Sequence, residues 1–327
     1  MVTLSLAGGL LLPLLLIALL PWPALRRLGL GLAPFAPLPA LGLAAWPSVE
    51  AVLDLPAVLL GTRLGLDDTG RLFLLFTALT WLAAGLYARA YLAEDARRTR
   101  FWAFFLVTQA GNLGVCLALD LGSFYTFFAL MTFAAYGLVV HTGSAEAWRA
   151  GRIYLIMAVL GEVTLVAGLM MAAHAAGSLL VADLQRAPLP PLAAALVVAG
   201  LGVKVGLPLL HMWLPLAHPV APVPASAVLS GVMLKAGLLG WLRFLPLGHQ
   251  ALPELGATLM AMGVVAMFYG VAVGLAQRDI KVVLAYSSVS QLGFMTLGVG
   301  AGLLAPGLWP SLLPAIGLYA LHHALAK

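Results

Sequence analysis

Apolar runs of about 20 residues follow one another along this chain, and that feature decides most of what it can fold into. They fall near residues 3–20, 28–46, 71–92, 102–119, 122–141, 152–174, 190–210, 225–246, 254–276, 281–302 and 311–327. Lipid offers no water to a backbone N–H or C=O, so a segment that crosses it must satisfy those groups internally. An α-helix does so within itself. The strands of a membrane barrel alternate polar and apolar side chains and would not read as unbroken runs. The runs therefore predict an all-α polytopic membrane protein with about 11 transmembrane helices. Pro34, Pro37 and Pro39 interrupt the second run, and residues 47–70, with Glu50, Asp54, Asp67 and Asp68, read as a loop holding a short interfacial helix.

Composition agrees, with 63% hydrophobic and 9% charged residues against about 25% charged in soluble domains. The net charge of +5 raises the possibility of nucleic acid, but the basic residues are scattered over short loops, and no nucleic-acid partner is expected. Topology explains them better. Loops after odd-numbered spans hold Arg26, Arg27, Arg89, Arg97, Arg98, Arg100, Arg149, Arg152, Arg278 and Lys281; those after even-numbered spans hold only Arg63, Arg71, Arg186 and Arg243. The positive-inside rule then places the N-terminus outside a cell (inner) membrane. Residues 1–20 lack a basic leader region and a clear cleavage site, so they read as a retained first span. The last run ends at Lys327 without a cap or polar tail, which reads as a truncated chain.

Two lysines, Lys204 and Lys235, lie deep inside apolar runs and bracket five prolines and two histidines. A charged side chain near the bilayer centre costs about 2.5–3.5 kcal/mol on insertion scales, so such residues are functional candidates. Pro208 stands four residues after Lys204, removes the hydrogen bond to the Lys204 carbonyl and breaks the helix there. Freed backbone beside a buried charge is a recurrent feature of transporters. The alternative is a kinked helix whose lysine snorkels to the surface. His211, Trp213, Pro215, His218, Pro219, Pro222 and Pro224 follow, and they read as a segment that is not regular helix. Lys235 lies about ten residues from either end of its run, too far to snorkel with ease; a structural interhelix bond is its bland reading. Burial disfavours the charged form of a lysine and lets it exchange protons near neutral pH.

Glu162 is the acidic residue well inside a span and the natural electrostatic counterpart of a buried lysine, the alternative being a protonated acid bonded to a neighbouring helix. In the last span His323 and Lys327 are four apart and share a helix face, while His322 points elsewhere. A histidine titrates near neutrality and can bridge protonatable lysines. His211 and His218 are accessory candidates; His141, His174 and His249 fall at span ends and read as interfacial. No metal is expected, since adjacent histidines do not converge and no carboxylate or cysteine accompanies them. The single cysteine, Cys116, excludes an intrachain disulfide and a cysteine-ligated cluster within the chain. No dinucleotide fingerprint or P-loop is present, and no cofactor is expected.

Three stretches, in this order, resemble a known family. They are Lys204-Val-Gly-Leu-Pro followed by His211-Met-Trp-Leu-Pro; Pro224-Ala-Ser-Ala-Val-Leu-Ser-Gly-Val-Met-Leu-Lys-Ala-Gly; and Arg278-Asp-Ile-Lys-Val-Val-Leu-Ala-Tyr-Ser-Ser-Val-Ser-Gln-Leu-Gly, extended by His323-Ala-Leu-Ala-Lys327. They look like the antiporter-like subunits of respiratory complex I, shared with Mrp-type cation/proton antiporters and energy-converting hydrogenases. The Ala-His-Pro-Val-Ala-Pro run at 217–222 looks closer to the hydrogenase-linked and Mrp-like branches.

The resemblance implies inverted five-helix repeats, each with a broken helix: residues 1–100 as N-terminal helices, 101–250 as a first repeat broken at 204–211, and 251–327 as the start of a second, incomplete one. It implies a proton relay along Lys204, Lys235, His323 and Lys327, with protons or sodium as the coupling ion and other membrane subunits of a complex I-like, hydrogenase or Mrp-type assembly as partners. The chain itself would hold no redox centre and serve as the ion-translocating subunit of an NADH:quinone oxidoreductase-like or hydrogenase-like complex. One departure stands out. Where the family places a glutamate in helix five, this chain has Ala129, and Glu162 in the adjacent span is the candidate to stand in. That departure also suits the alternative, a non-conducting scaffold or truncated remnant.

Overall fold

Prolines and capping side chains set the helix boundaries. In the computed structural model, which describes residues 2–46, 52–59 and 61–327, every expected span is helical. Helix α1 (Val2–Leu19) is followed by α2 (Pro23–Leu32), a 3-10 turn over Ala33–Phe35 and α3 (Leu38–Ala45). Pro34 takes a place in that turn where its missing N–H costs no helical bond, so the second span is interrupted but not abolished.

Asp67 caps α4 (Asp68–Tyr91), accepting a hydrogen bond from the Gly70 N–H at 2.6 Å. Helix α5 spans Arg98–Leu117, and α6 (Leu121–Val139) is capped by Asp120, which accepts from the Ser123 N–H at 2.8 Å. Then come α7 (Ala145–Ala176), α8 (Val181–Arg186), α9 (Pro191–Val205), α10 (Trp213–Val220) and α11 (Val223–Val228). A π-helical turn, Leu229–Met233, leads from α11 into α12 (Leu234–Phe244). Helices α13 (Pro253–Leu275), α14 (Ile280–Leu304) and α15 (Trp309–Ala326) complete the chain. Among the described residues, seven helical segments are long and apolar enough to cross a membrane, including Ala145–Ala176, Val223–Phe244 and Pro253–Leu275.

The loop at 47–70 needs correction. Val52–Leu55 (β1) and Thr62–Gly65 (β2) pair as an antiparallel hairpin rather than an interfacial helix, with Arg63 and Asp54 bridged at 3.4 Å. Glu50 and residues 47–49, 51 and 60 lie outside the described residues.

The fold divides into two units: residues up to Gly151 with Val220–Met233, and Arg152–Pro219 with Leu234–Lys327. In the first, α5 lies on α6 so closely that a Cβ on Gly111 would stand 2.5 Å from the Met131 nitrogen. The buried Asp120 carboxylate also accepts from the Arg63 N–H at 2.7 Å, tying the hairpin to the start of α6. His141 departs from its interfacial reading: it is buried and its Nε2 lies 3.0 Å from Asp95 Oδ2.

In the second unit, α13 and α14 meet along glycines. A Cβ at Gly256 would lie 2.7 Å from the Gly300 oxygen, and one at Gly263 equally close to that of Gly293. Small residues let membrane helices approach to backbone contact, where dispersion replaces the missing hydrophobic drive.

Candidate functional site

Lys204 sits in the last turn of α9, which ends one residue later. Gly206 adopts the left-handed conformation at φ 83°, and the N–H groups of Gly206 and Leu207 both bond to the Gly202 carbonyl. That is a glycine C-cap, with Pro208 following where the helix no longer continues. Sequence reasoning named Pro208 and missed Gly206, although a glycine two residues before a proline is the signal for such an ending. The carbonyl end of a helix favours a cation, so the break and the lysine suit one another.

Beyond the break, the proline-rich segment is more regular than its composition implies. Trp213–Val220 forms a short helix. Pro215 falls in its first turn, where no N–H is needed, and Pro219 near its end. This helix returns Trp213 to the break, where its indole N–H donates to the Val203 carbonyl at 2.8 Å.

The Lys204 ammonium is held by aromatic groups. It lies 3.3 Å from the Tyr154 hydroxyl, 5.4 Å from the centre of that ring and 5.7 Å from that of Trp213. Tyr154 and Trp213 meet edge to face at 5.2 Å. Such faces attract a cation through the ring quadrupole, more strongly when water is excluded. Glu162 is buried on α7, and its charge reaches both Lys204 and Tyr154. Glycines permit this closeness: a Cβ on Gly200 would lie 2.6 Å from the Leu165 nitrogen, and one on Gly161 would be 3.1 Å from the Gly200 oxygen. Neither aromatic partner was singled out as more than packing in the sequence.

Lys235 is the second residue of α12 and 0% exposed. Its helix rests on α9 through Gly237, whose added Cβ would stand 3.0 Å from the Leu201 oxygen and 3.2 Å from Lys204 Cβ. The π turn ending at Met233 immediately precedes it. Such turns shift the register of a helix and recur at functional sites. Nothing in the apolar periodicity signals one here.

On α15, His323 is buried and His322 exposed. Lys235 and Lys327 both lie within electrostatic reach of His323, and Lys327 within reach of Lys235. Among the described residues, neither ring nitrogen of His323 has a hydrogen-bond partner. Lys327 donates to the Leu284 carbonyl at 2.8 Å and to the Ser287 hydroxyl. His218 on α10 is buried, and the charges of Lys327 and Lys281 reach it. Lys281 belongs to the first turn of α14 rather than to a loop, and its ammonium donates to the Pro219 carbonyl at 3.4 Å. Arg243 likewise is buried in the last turn of α12 and is no loop residue. His211, at the break, lies 5.2 Å from the Tyr269 ring and 6.2 Å from that of Tyr286.

The second unit thus gathers two groups of sequence candidates, Glu162 with Lys204, and Lys235 with His323, Lys327 and His218. His322 and His211 stand at their margins. Among the described residues, no three His, Cys, Asp or Glu side chains are placed to hold a metal ion.

Comparison with known proteins agrees with this architecture. Residues 118–321 match the family model described as NADH:quinone oxidoreductase/Mrp antiporter, TM. The chain is 34% identical over 281 residues to NADH-quinone oxidoreductase subunit N of Desulforudis audaxviator, covering 82% of this chain and 54% of that one. It is 32% identical over 278 residues to hydrogenase-4 component B of Escherichia coli, covering 81% and 41%. The chain therefore spans about half the length of the curated relatives it matches. The fold superposes on the Mrp complex from Dietzia sp. with a TM-score of 0.85 at 24% identity, over 99% of this chain and 36% of that one. It superposes on an archaeal membrane-bound sulfane sulfur reductase with a TM-score of 0.84 at 22% identity, over 99% and 68%. With most of its length matched by a family model and by relatives at this identity, the chain belongs to the NADH:quinone oxidoreductase/Mrp antiporter transmembrane family.

Proposed function

We propose that this chain is a proton-translocating, antiporter-like subunit of a multisubunit membrane complex. Protons pass along Lys204, Lys235, His323 and Lys327, while Glu162 tunes Lys204 through its charge. The observation that carries this reading is the pair Lys235 and His323, a fully buried lysine beside a buried imidazole whose two nitrogens remain open among the described residues. An imidazole of that kind accepts a proton on one nitrogen and releases one from the other. Driving force comes from partner subunits of complex I, hydrogenase or Mrp type, and the coupling ion is the proton, with sodium as the alternative. The excess of arginine around the connections after odd-numbered spans supports an N-terminus outside the cell (inner) membrane. The inverted-repeat division, with a first repeat over 101–250 and a second beginning at 251, belongs to the same reading.

Proton uptake by proteoliposomes containing the assembled complex tests it. Lys204→Ala abolishes pumping, and Lys204→Arg restores charge but not proton exchange, because a guanidinium stays protonated. Intact pumping in Lys204→Ala would remove the relay assignment. A second reading, a non-conducting scaffold, is favoured by Ala129 on α6, where the family resemblance leads one to expect an acid. Under it, the Lys204 and Glu162→Gln variants leave pumping by the complex unchanged while deletion of the chain disassembles it.

A further inference from the structure

The first unit carries a basic cavity that takes no part in the row of buried lysines. Its volume is about 260 Å³, and its lining includes Arg27 and Leu30 of α2, Arg89 at the end of α4, Leu92 just after it, and Arg98 and Trp102 of α5. Three arginines from three helices line one space. Arg98 donates to the Ala93 carbonyl at 2.9 Å, while the side chains of Arg27 and Arg89 make no hydrogen bond or ion pair among the described residues. The neighbouring loop does carry acids, but neither Glu94 nor Asp95 lines the cavity. Asp95 is committed elsewhere, to His141 at 3.0 Å and to the Arg97 N–H at 2.6 Å.

The start of α5 sharpens the point. Its first turn holds no acid and its preceding residue makes no side-chain cap, yet Arg97, Arg98 and Arg100 crowd this end. Helix N-termini carry a partial positive charge and favour anions, and here the Asp95 carboxylate on the Arg97 N–H is set against three arginines. An anion in the cavity relieves both the helix end and the mutual repulsion of the arginines.

Depth identifies the source of that anion. Arg27 lies in the second turn of α2, Arg89 in the last turn of α4 and Arg98 in the first of α5, so all three lie near span ends. Around them Trp22, Tyr87 and Tyr91 are exposed, and the two tyrosine rings stack at 5.5 Å. Exposed aromatics at span ends mark headgroup level. Exposed Leu28 and Leu32 of α2 and Leu86 of α4 supply apolar surface on the same helices, suited to acyl chains. We propose that this cavity binds the phosphate of an anionic phospholipid headgroup, with Arg27, Arg89 and Arg98 as its ligands. Planar guanidinium forks match phosphate oxygens two at a time.

Native mass spectrometry of the full chain in detergent, titrated separately with phosphatidylglycerol, phosphatidylcholine and inorganic phosphate, tests this. Phosphatidylglycerol binds in preference to phosphatidylcholine, and each Arg→Gln change at 27, 89 or 98 weakens it about fivefold, the value of one basic residue near a lipid surface. The triple variant loses on the order of a hundredfold if these contributions add. The triple Arg→Lys variant binds more tightly than the triple glutamine variant and less tightly than wild type, which separates loss of charge from loss of fold, and Arg63→Gln, on the hairpin, leaves binding unchanged. Equal binding of phosphatidylcholine, or wild-type affinity in the triple glutamine variant, overturns the site. Inorganic phosphate bound as tightly as phosphatidylglycerol assigns it to a soluble anion and overturns the lipid.

Discussion

Lys235→Met should stabilise the fold while stopping proton transfer. The side chain is fully buried, and α12 is held on α9 by the approach of Gly237 to Leu201, so the helix cannot roll to bring the ammonium to an interface. Methionine is also unbranched and fills similar space without the charge. Placing a lysine at mid-bilayer costs about 2.5–3.5 kcal/mol, and replacing buried ions by apolar residues of similar volume gains up to about 1–4 kcal/mol. The charge of Lys327, another cation, reaches Lys235, so removing the ammonium relieves that repulsion. Polar neighbours lose a donor, which offsets part of the gain at about 1–3 kcal/mol. The expected net is a gain of about 1–2 kcal/mol, read as a rise in unfolding midpoint of about 2 °C or more. Thermal unfolding in nanodiscs measures the first effect, and proton uptake by proteoliposomes holding the assembled complex measures the second. A variant that is less stable than wild type and still pumps would refute both halves of the reasoning.

Three further perturbations probe the frame. Gly200→Ala places a methyl about where Leu165 backbone already stands, at 2.6 Å; overpacking of this kind costs about 1–3 kcal/mol, and lowered proton flux should accompany the lower melting temperature as α9 moves from α7. Asp120→Ala removes both the cap of α6 and the bond to the Arg63 N–H, which should cost about 0.5–2 kcal/mol and speed backbone hydrogen exchange in the hairpin. Burial pushes the His141 imidazole below its ordinary 6.5, outweighing the Asp95 carboxylate beside it. The unfolded chain then takes up this proton at a higher pH than the folded one, so stability falls as pH is lowered below about 6.5. His141→Gln should flatten that slope in melting curves recorded between pH 7 and pH 5, and an unchanged slope would assign the acid sensitivity elsewhere.

The legible part of the site is the part governed by solvation. Lys204, Lys235 and Glu162 announce themselves because charge inside an apolar run is costly wherever the run is placed. Tyr154 and Trp213 do not, since an aromatic residue in a membrane helix is ordinary and only its position against Lys204 makes it a partner. Lys281 and Arg243 were misassigned to loops for a related reason: a basic residue near a span end reads the same whether it faces water or turns inward. The hairpin at 52–65 was missed because its two strands are four residues each, too short for alternation to stand out from a polar loop.

The sequence by itself determined the solvent and, through it, the helices. Unbroken apolar runs admit one way of satisfying the backbone in lipid, and Pro208 beside a buried lysine marks where that pattern gives way. Tertiary structure alone decided which buried groups meet. Glycines on α7, α9 and α12 bring Glu162 and Lys204 into range of one another, and α15 brings His323 to Lys235. Helix formation is set by bonds between residues four apart, which the chain order contains. Proximity between helices depends on side-chain volume and close approach across hundreds of residues, which chain order does not.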